Sequence, residues 1–313
     1  MTAEPRCKQI GSRLSNWGRW GEDDSLGTMN FITAETRRAA ASLVRTGALF
    51  DLGIPLDRQG PQRASGMLNS ARFNPIHRMT QLPTEEKWPE GEVESDDIVI
   101  LPLQCATQWD GLAHIGYDKQ LYNGVPTSAV TAAAGAERNS FHSLAASPVG
   151  RGVLLDIPSS KGVGHLQGGE EITADDLDAA SSRQGVDIRS GDILLVRTGW
   201  FQHFANGDVD TYMGRETPGL GVSCCEWLHD KEVAAVASDT HRFEVGPSKE
   251  LPVLHPVHMI LIRDLGMTLG EIFNLEELAR DCQADGRWEF FFSGAGLKVT
   301  GAVGSPLTPI AMK

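Results

Sequence analysis

A chain of 313 residues with 41% hydrophobic and 22% charged side chains can bury a large core, which excludes a disordered or fibrous protein. Its formal charge of -13 excludes the basic face that nucleic acid or an anionic membrane requires, so a small, neutral or weakly charged molecule is the fitting substrate. No apolar run reaches the roughly 20 residues of a membrane helix, the start Met1-Thr2-Ala3-Glu4-Pro5-Arg6 lacks the halves of a signal peptide, and the odd count of five cysteines lacks zinc spacing; a cytoplasmic protein with reduced thiols is expected.

Residues 1–32 are polar and glycine-rich, yet Trp17 and Trp20 flank Gly18. Two tryptophans so close suggest an arm that packs on the body of its own subunit or on a partner's. From 33 to 313 no repeat, low-complexity tract or linker interrupts the chain, so one compact domain is expected. Thr33 can cap a helix over 34–45 that stops at Gly47, and 48–56 reads as a strand. Between Asp57 and Ser95 the periodicity is lost; a loop excursion of this length serves as a lid or an oligomer contact. Trp88, which falls in it, either lies at the mouth of a pocket for a flat substrate or pins the loop down.

The run Asp97-Ile98-Val99-Ile100-Leu101-Pro102-Leu103 reads as a strand that delivers polar side chains to a sheet edge. Gln104, Gln108, Asp110 and His114 follow in close succession, with Gly111 in the turn, and a site is expected there. Cys105 is either a nucleophile or a small buried side chain facing away from its neighbours.

Alanine-rich 127–146 suggests a helix or two. Strands are expected at 151–157, 192–200 and 232–237, with helices opened by capping boxes at Thr173–Asp176 and Ser223–Glu226 between them. This alternation argues for a mixed or parallel sheet with flanking helices. Asp239 and His241 then sit on a loop at a strand end. A helix is expected over 256–265 with His258 near its start and pre-proline His255 outside it. A strand over 268–272 contains Glu271, Asn274 caps a helix to Cys282, and strands at 289–292 and 297–303 precede a Gly304-Ser305-Pro306 turn.

The register Gln104-Cys105-Ala106-Thr107-Gln108-Trp109-Asp110-Gly111-Leu112-Ala113-His114 resembles the signature His-x-Gly-Thr-His-x-Asp-x-x-x-His of the metal-dependent cyclase family, which includes kynurenine formamidases and isatin hydrolases. Thr107, Asp110 and His114 match, while Gln104 and Gln108 stand at two usual metal-binding histidines. The stretch 151–200, the Asp239-Thr240 pair and the run from Leu251 to Leu275 resemble later parts of the family, so the likeness extends from about Ala48 to the C-terminus.

The resemblance implies an α/β fold of swivelling β/β/α type, generally oligomeric, with 33–313 as the catalytic domain and a homodimer or larger homo-oligomer using the N-terminal arm. It further implies hydrolysis of an amide (formamide or cyclic amide) or lactone in a small, possibly aromatic substrate. Asp110, His258 and Glu271 would hold a divalent metal such as manganese or zinc, with His255 as rival to His258, and His114 would be the general acid/base. Trp88, Trp109 and His241 are candidate substrate contacts.

Amide oxygens are neutral, hard donors, so the glutamines shift preference toward manganese or magnesium. Three outcomes stand open: a metal held by Asp110, Glu271 and His258 with glutamine help, a rearranged site that recruits His241, or no metal. The metal-free alternative is a cyclase, isomerase or dehydratase using His114 and Asp110; a non-catalytic small-molecule-binding homologue is the third reading. Against these, Gln104 and Gln108 can satisfy backbone groups, Asp110 can cap a turn, and Glu271 can pair with Arg263.

Overall fold

The computed structural model describes residues 5–62, 71–84 and 91–313. One nine-stranded mixed sheet contains β1 (Leu49–Asp51), β2 (Gln108–Asp110), β3 (Val149–Asp156), β4 (Ile193–Arg197), β5 (Ala235–Ser238), β6 (Thr268–Glu271), β7 (Glu289–Ser293), β8 (Gly304–Pro306) and β9 (Ile310–Met312). Their spatial order is β1-β9-β7-β3-β4-β5-β6-β2-β8. The central β3-β4-β5-β6 block is parallel, and the strands on either side of it pair antiparallel. This is the mixed α/β sheet that the strand–helix alternation predicts.

The parallel block is apolar along its whole length because helices cover both faces of such a sheet. Ile193, Leu194, Leu195 and Val196 are fully buried, as are Val153, Leu154 and Leu155 next to them. The crossover from β3 to β4 holds α3 (Ala174–Gln184), counted after α1 (Arg6–Leu14) and α2 (Ala34–Ala41). Reciprocal bonds between Thr173 and Asp176 open α3, and Gly185 closes it in the left-handed conformation at φ 64°. The α4 helix (Ser223–Asp230) forms without the expected box. Its Ser223 hydroxyl instead accepts the Ala174 N–H (3.2 Å), tying the starts of two helices together. A final helix, α5 (Glu276–Asp285), follows β6.

Other expectations fail as well. The 97–103 run joins no main-sheet edge, because Asp96–Ile100 takes its ladder bonds from Ile76–Gln81 in a separate antiparallel ribbon. Ile98 and Ile100 are consequently 48% and 54% exposed. Alanine-rich 127–146 forms short turns and a two-residue hairpin, its helix propensity overridden by Gly135 and by backbone bonds to 301 and 302. Gly304-Ser305-Pro306 is strand β8 and not a turn, 297–303 is not a strand, and β9 went unread because three residues carry little periodicity.

The segment 256–265 is helical but not uniform: Pro256–His258 is a single α turn, continued by a wider π-helix over Met259–Leu265. Its C-terminal carbonyls are satisfied by the N-terminal segment of the same chain. Asn16 N–H donates to the Asp264 carbonyl (3.0 Å), Asn16 Nδ2 to Leu265 (3.0 Å) and Trp17 Nε1 to Arg263 (2.7 Å). Thr28 N–H closes Gly266 at 2.9 Å. Trp17 therefore packs on the body of its own subunit, against Arg263. Among the described residues no helix is long and apolar enough to cross a membrane.

Where β5 and β6 meet β2, Gly270 leaves room that no side chain can share. A Cβ there would press on Ala237 and lie 2.6 Å from Trp109 and 2.8 Å from Phe273. Gly270→Ala is expected to destabilise the protein by about 1–3 kcal/mol through overpacking, checked by urea denaturation.

Candidate metal centre

Antiparallel pairing of β2 with β6 sets Gln108 opposite Glu271 and Asp110 opposite Leu269. Because side chains alternate along a strand, Gln108 and Asp110 share a face while Trp109 points the other way. Gln108 Nε2 donates to Glu271 Oε2 at 2.8 Å and reaches Asp110 Oδ1 at 3.4 Å. Trp109 is wholly buried, gives its indole N–H to the Gly294 carbonyl (2.7 Å) and packs on Phe273 and Phe292. The expected substrate role for Trp109 is thereby corrected: it is a core residue behind the site.

His258 enters from the third element. Pro256 begins the helix, whose first amide groups need acceptors, and Glu244 supplies them. Its carboxylate accepts the Val257 and His258 N–H groups (each 3.1 Å) and the His258 Nδ1–H. The other ring nitrogen, Nε2, is thus turned to the acids, 3.4 Å from Glu271 Oε1 and 4.0 Å from Asp110 Oδ2. Burial alone would depress His258, but the carboxylates of Glu244 and Glu271 outweigh it and hold the ring at about 10. Burial pushes Asp110 up, and Glu271 adds to that push while His114 and His258 oppose it.

Donor atoms of Asp110, His258 and Glu271 all lie within 4.8 Å of one another. Gln108 Oε1 is buried beside them without a hydrogen-bond partner, a spare oxygen donor. Two carboxylates, an imidazole oriented through its far nitrogen by a third carboxylate, and an unpartnered amide oxygen fit a divalent cation that favours oxygen.

The backbone on both sides of these acids is held in an unusual state. Ile272, directly after Glu271, has φ 61°, and Phe243, directly before Glu244, has φ 59°. For a β-branched residue this is a costly conformation that surrounding bonds must impose. Ile272 N–H donates to the Thr240 carbonyl (2.9 Å), and the Ile272 carbonyl accepts Thr107 Oγ1 (2.6 Å). Thr107 is thus a clasp that fixes where Glu271 stands.

His114 reaches Asp110, with Nε2 3.6 Å from Oδ2, and keeps part of its ring open to solvent. Of the two candidate histidines, His258 joins the acids; His255 stands outside with ring centroids 5.6 Å apart. Gln104 makes no bond to them: its Nε2 is buried over Gly304 without a partner. His241 lies beside Tyr212, outside the cluster. Glu271 pairs with His258 and Gln108, and Arg263 instead bonds Asp264 and Gln120. Cys105 is fully buried and its thiol is pushed up to about 11 by burial, which leaves no nucleophile. Trp88 lies outside the described residues. Glu244 escapes a sequence reading, since it sits 14 residues before its partner in no motif; the one signal is a helix start at Pro256 with no capping side chain of its own.

The site thus consists of paired acids on neighbouring strands, faced by a histidine at a helix start. The cyclase family, described as "Putative cyclase", matches residues 50–245, and the chain belongs to that family. The crystal structure of a novel cyclase is 40% identical over 96% of this chain and 99% of its own, with a TM-score of 0.86. Isatin hydrolase A from Ralstonia solanacearum is similar at 21% identity, covering 90% of this chain and 98% of that one (TM-score 0.60). The predicted metal-dependent hydrolase from Bacillus stearothermophilus is similar at 16% identity, 85% and 98% coverage and TM-score 0.55. No curated protein matches the sequence.

Because Glu244 orients His258, Glu244→Gln is expected to weaken divalent-metal binding about 10- to 100-fold, measured by titration calorimetry on protein shown to be folded by circular dichroism. Burial lowers His241 to about 3 and His255 to about 4, against 6.5 when exposed. The unfolded chain therefore takes up these protons first, so stability that is intact above pH 6.5 is lost as pH falls toward those values. Urea midpoints should decrease on acidification through this window, and less steeply in His241→Asn.

Proposed function

We propose that the protein is a metal-dependent hydrolase of an amide or lactone bond in a small molecule. The observation that carries this reading is the convergence of Asp110, His258 and Glu271, with donor atoms within 4.8 Å, beside the unpartnered Gln108 oxygen. Asp110, Glu271 and His258 would hold the cation, with Gln108 Oε1 as a further donor. Manganese suits this set better than zinc, because three of the four residues offer oxygen. When bound, such a cation supplies Lewis-acid polarisation of a carbonyl and a lowered pKa for an attacking water.

The chain's own residues do the rest. Glu244 accepts the His258 Nδ1–H and so turns Nε2 toward the acids, where a cation would take the place of the proton that the raised ring pKa otherwise keeps there. His114, at the solvent side of Asp110, takes the proton from the attacking water and returns it to the leaving nitrogen or oxygen. Asp110 steadies the imidazole while it carries that proton.

A second reading is favoured by one observation: Gln108 Nε2 already bonds Glu271 and leans on Asp110, so the acids are bridged by a neutral donor. On that reading the site is metal-free and His114 with Asp110 performs an elimination, isomerisation or ring closure. A homo-oligomer is also part of the proposal. The surface that supports it is the two-stranded ribbon, open on both faces and too small to be stable alone, which a second copy would cover.

Hydrolysis of formamide, lactone and isatin-like substrates is expected to stop on chelation and return with Mn²⁺; activity that survives chelation would select the metal-free reading. His114→Ala should lower kcat by about 10²- to 10⁴-fold while metal content is retained, whereas Asp110→Asn should lose the metal itself, as measured by elemental analysis.

A further inference from the structure

An amide side chain has two unlike ends, and Gln108 has one of them in use. Its Nε2 donates to Glu271 Oε2 at 2.8 Å and reaches Asp110 Oδ1 at 3.4 Å. Its Oε1, among the described residues, is buried without a hydrogen-bond partner. Gln108 as a whole is closed to solvent, so bulk water does not complete that oxygen.

Charge explains the orientation. Two carboxylates stand at this end, and only the N–H₂ end can face them, because an oxygen there would add lone pairs to lone pairs. A cation reverses the requirement. An amide nitrogen has no lone pair to give a metal, so Gln108 can join Asp110, His258 and Glu271 as a ligand only through Oε1. The end that suits the two acids alone is the wrong end once an ion lies among them.

The spacing suits both arrangements. Neighbouring oxygens around an octahedral ion with bonds of about 2.1 Å lie about 3.0 Å apart. Gln108 Nε2 stands 2.8 and 3.4 Å from one oxygen of each acid, and His258 Nε2 stands 3.4 Å from Glu271 Oε1. An oxygen in the place of Nε2 would therefore be spaced as a ligand. A half-turn of the terminal amide puts it there, about a torsion that is soft and roughly two-fold. The backbone need not follow, since Gln108 is laddered to Glu271 on one side and to Pro306 on the other.

We infer that Gln108 is an amide switch at the metal centre: its N–H₂ end bridges Glu271 and Asp110 in place of a cation, and a half-turn lets Oε1 bind the cation when it enters. Loading thus breaks an internal hydrogen bond before it makes a metal bond. That competition lowers affinity and makes occupancy reversible, while the acids keep their positions in both states. The inference rests on the metal-dependent reading for where the ion sits, and it explains the bridged acids without requiring a metal-free reaction.

The test uses the full-length chain labelled with ¹⁵N-glutamine, its Gln108 N–H₂ signals assigned by their loss in Gln108→Glu. Under chelation one of the two protons should be shifted downfield and exchange slowly with solvent; saturating Mg²⁺, which leaves signals sharp, should return it to the unbonded range. In calorimetry, Gln108→Glu, which keeps an oxygen and lacks the bridging N–H, should bind Mn²⁺ about tenfold or more tightly than wild type. The same variant should unfold at lower urea under chelation, because three carboxylates then face one another. Gln108→Met, with neither end, should bind Mn²⁺ about tenfold more weakly and carries the affinity test if the glutamate variant does not fold. Bound Mg²⁺ with the N–H₂ signals unmoved, or wild-type Mn²⁺ affinity in Gln108→Met, overturns the switch even if hydrolysis is observed. A turned amide in a chain that hydrolyses nothing supports the switch and overturns the hydrolytic reading instead. Failure of both ions to bind at millimolar concentration overturns the two together.

Discussion

Three carboxylates and one imidazole share a space closed to water, and the elements around them are arranged to make that tolerable. Asp110, Glu244, Glu271 and His258 are each no more than 3% exposed. Buried like charges repel and lose hydration, so an acid here must be neutralised by protons, hydrogen bonds or a cation. Glu244 spends its charge on a helix start and on one ring nitrogen. The other ring nitrogen then faces Asp110 and Glu271 together with the amide group of Gln108. The site's chemistry follows from how that residual acidity is balanced.

Placing the acids requires rigid backbone, and the sheet supplies it. Glu271 ends the last parallel strand, where β6 passes from a parallel neighbour to an antiparallel one. The chain turns sharply at once, with Ile272 in a left-handed conformation clasped by Thr107 from one side and Thr240 from the other. The Thr107 hydroxyl and the Thr240 carbonyl together fix the direction of the carboxylate more firmly than a loop could.

Much of this was legible in residue order. The apolar runs at 193–196 and 153–155 announced a covered parallel sheet, and the Thr173–Asp176 box marked its crossover helix, because both are local consequences of side-chain chemistry. The pairing of Asp110 with Glu271 and His258 was reached only through a family likeness, since 161 residues separate the two acids and no local pattern encodes their meeting. Trp109 misled because alternation along β2 turns it away from its neighbours, and strand phase is invisible until the pairing is known. Glu244 had no signal beyond a helix lacking its own cap. The 97–103 run was read correctly as extended but assigned to the wrong sheet, for composition specifies a strand and not its partner.

One further consequence attaches to the N-terminal segment. The helix that begins at Pro256 and carries His258 ends on carbonyls of Arg263, Asp264 and Leu265, and Asn16 and Trp17 are what terminate it. Shortening the chain from its amino end would thus leave the far tip of the metal-facing helix with unanswered acceptors. A segment that resembles a detachable tail in composition is, in energetic terms, the last turn of that helix, and its loss would be felt at the imidazole before it was felt in the sheet.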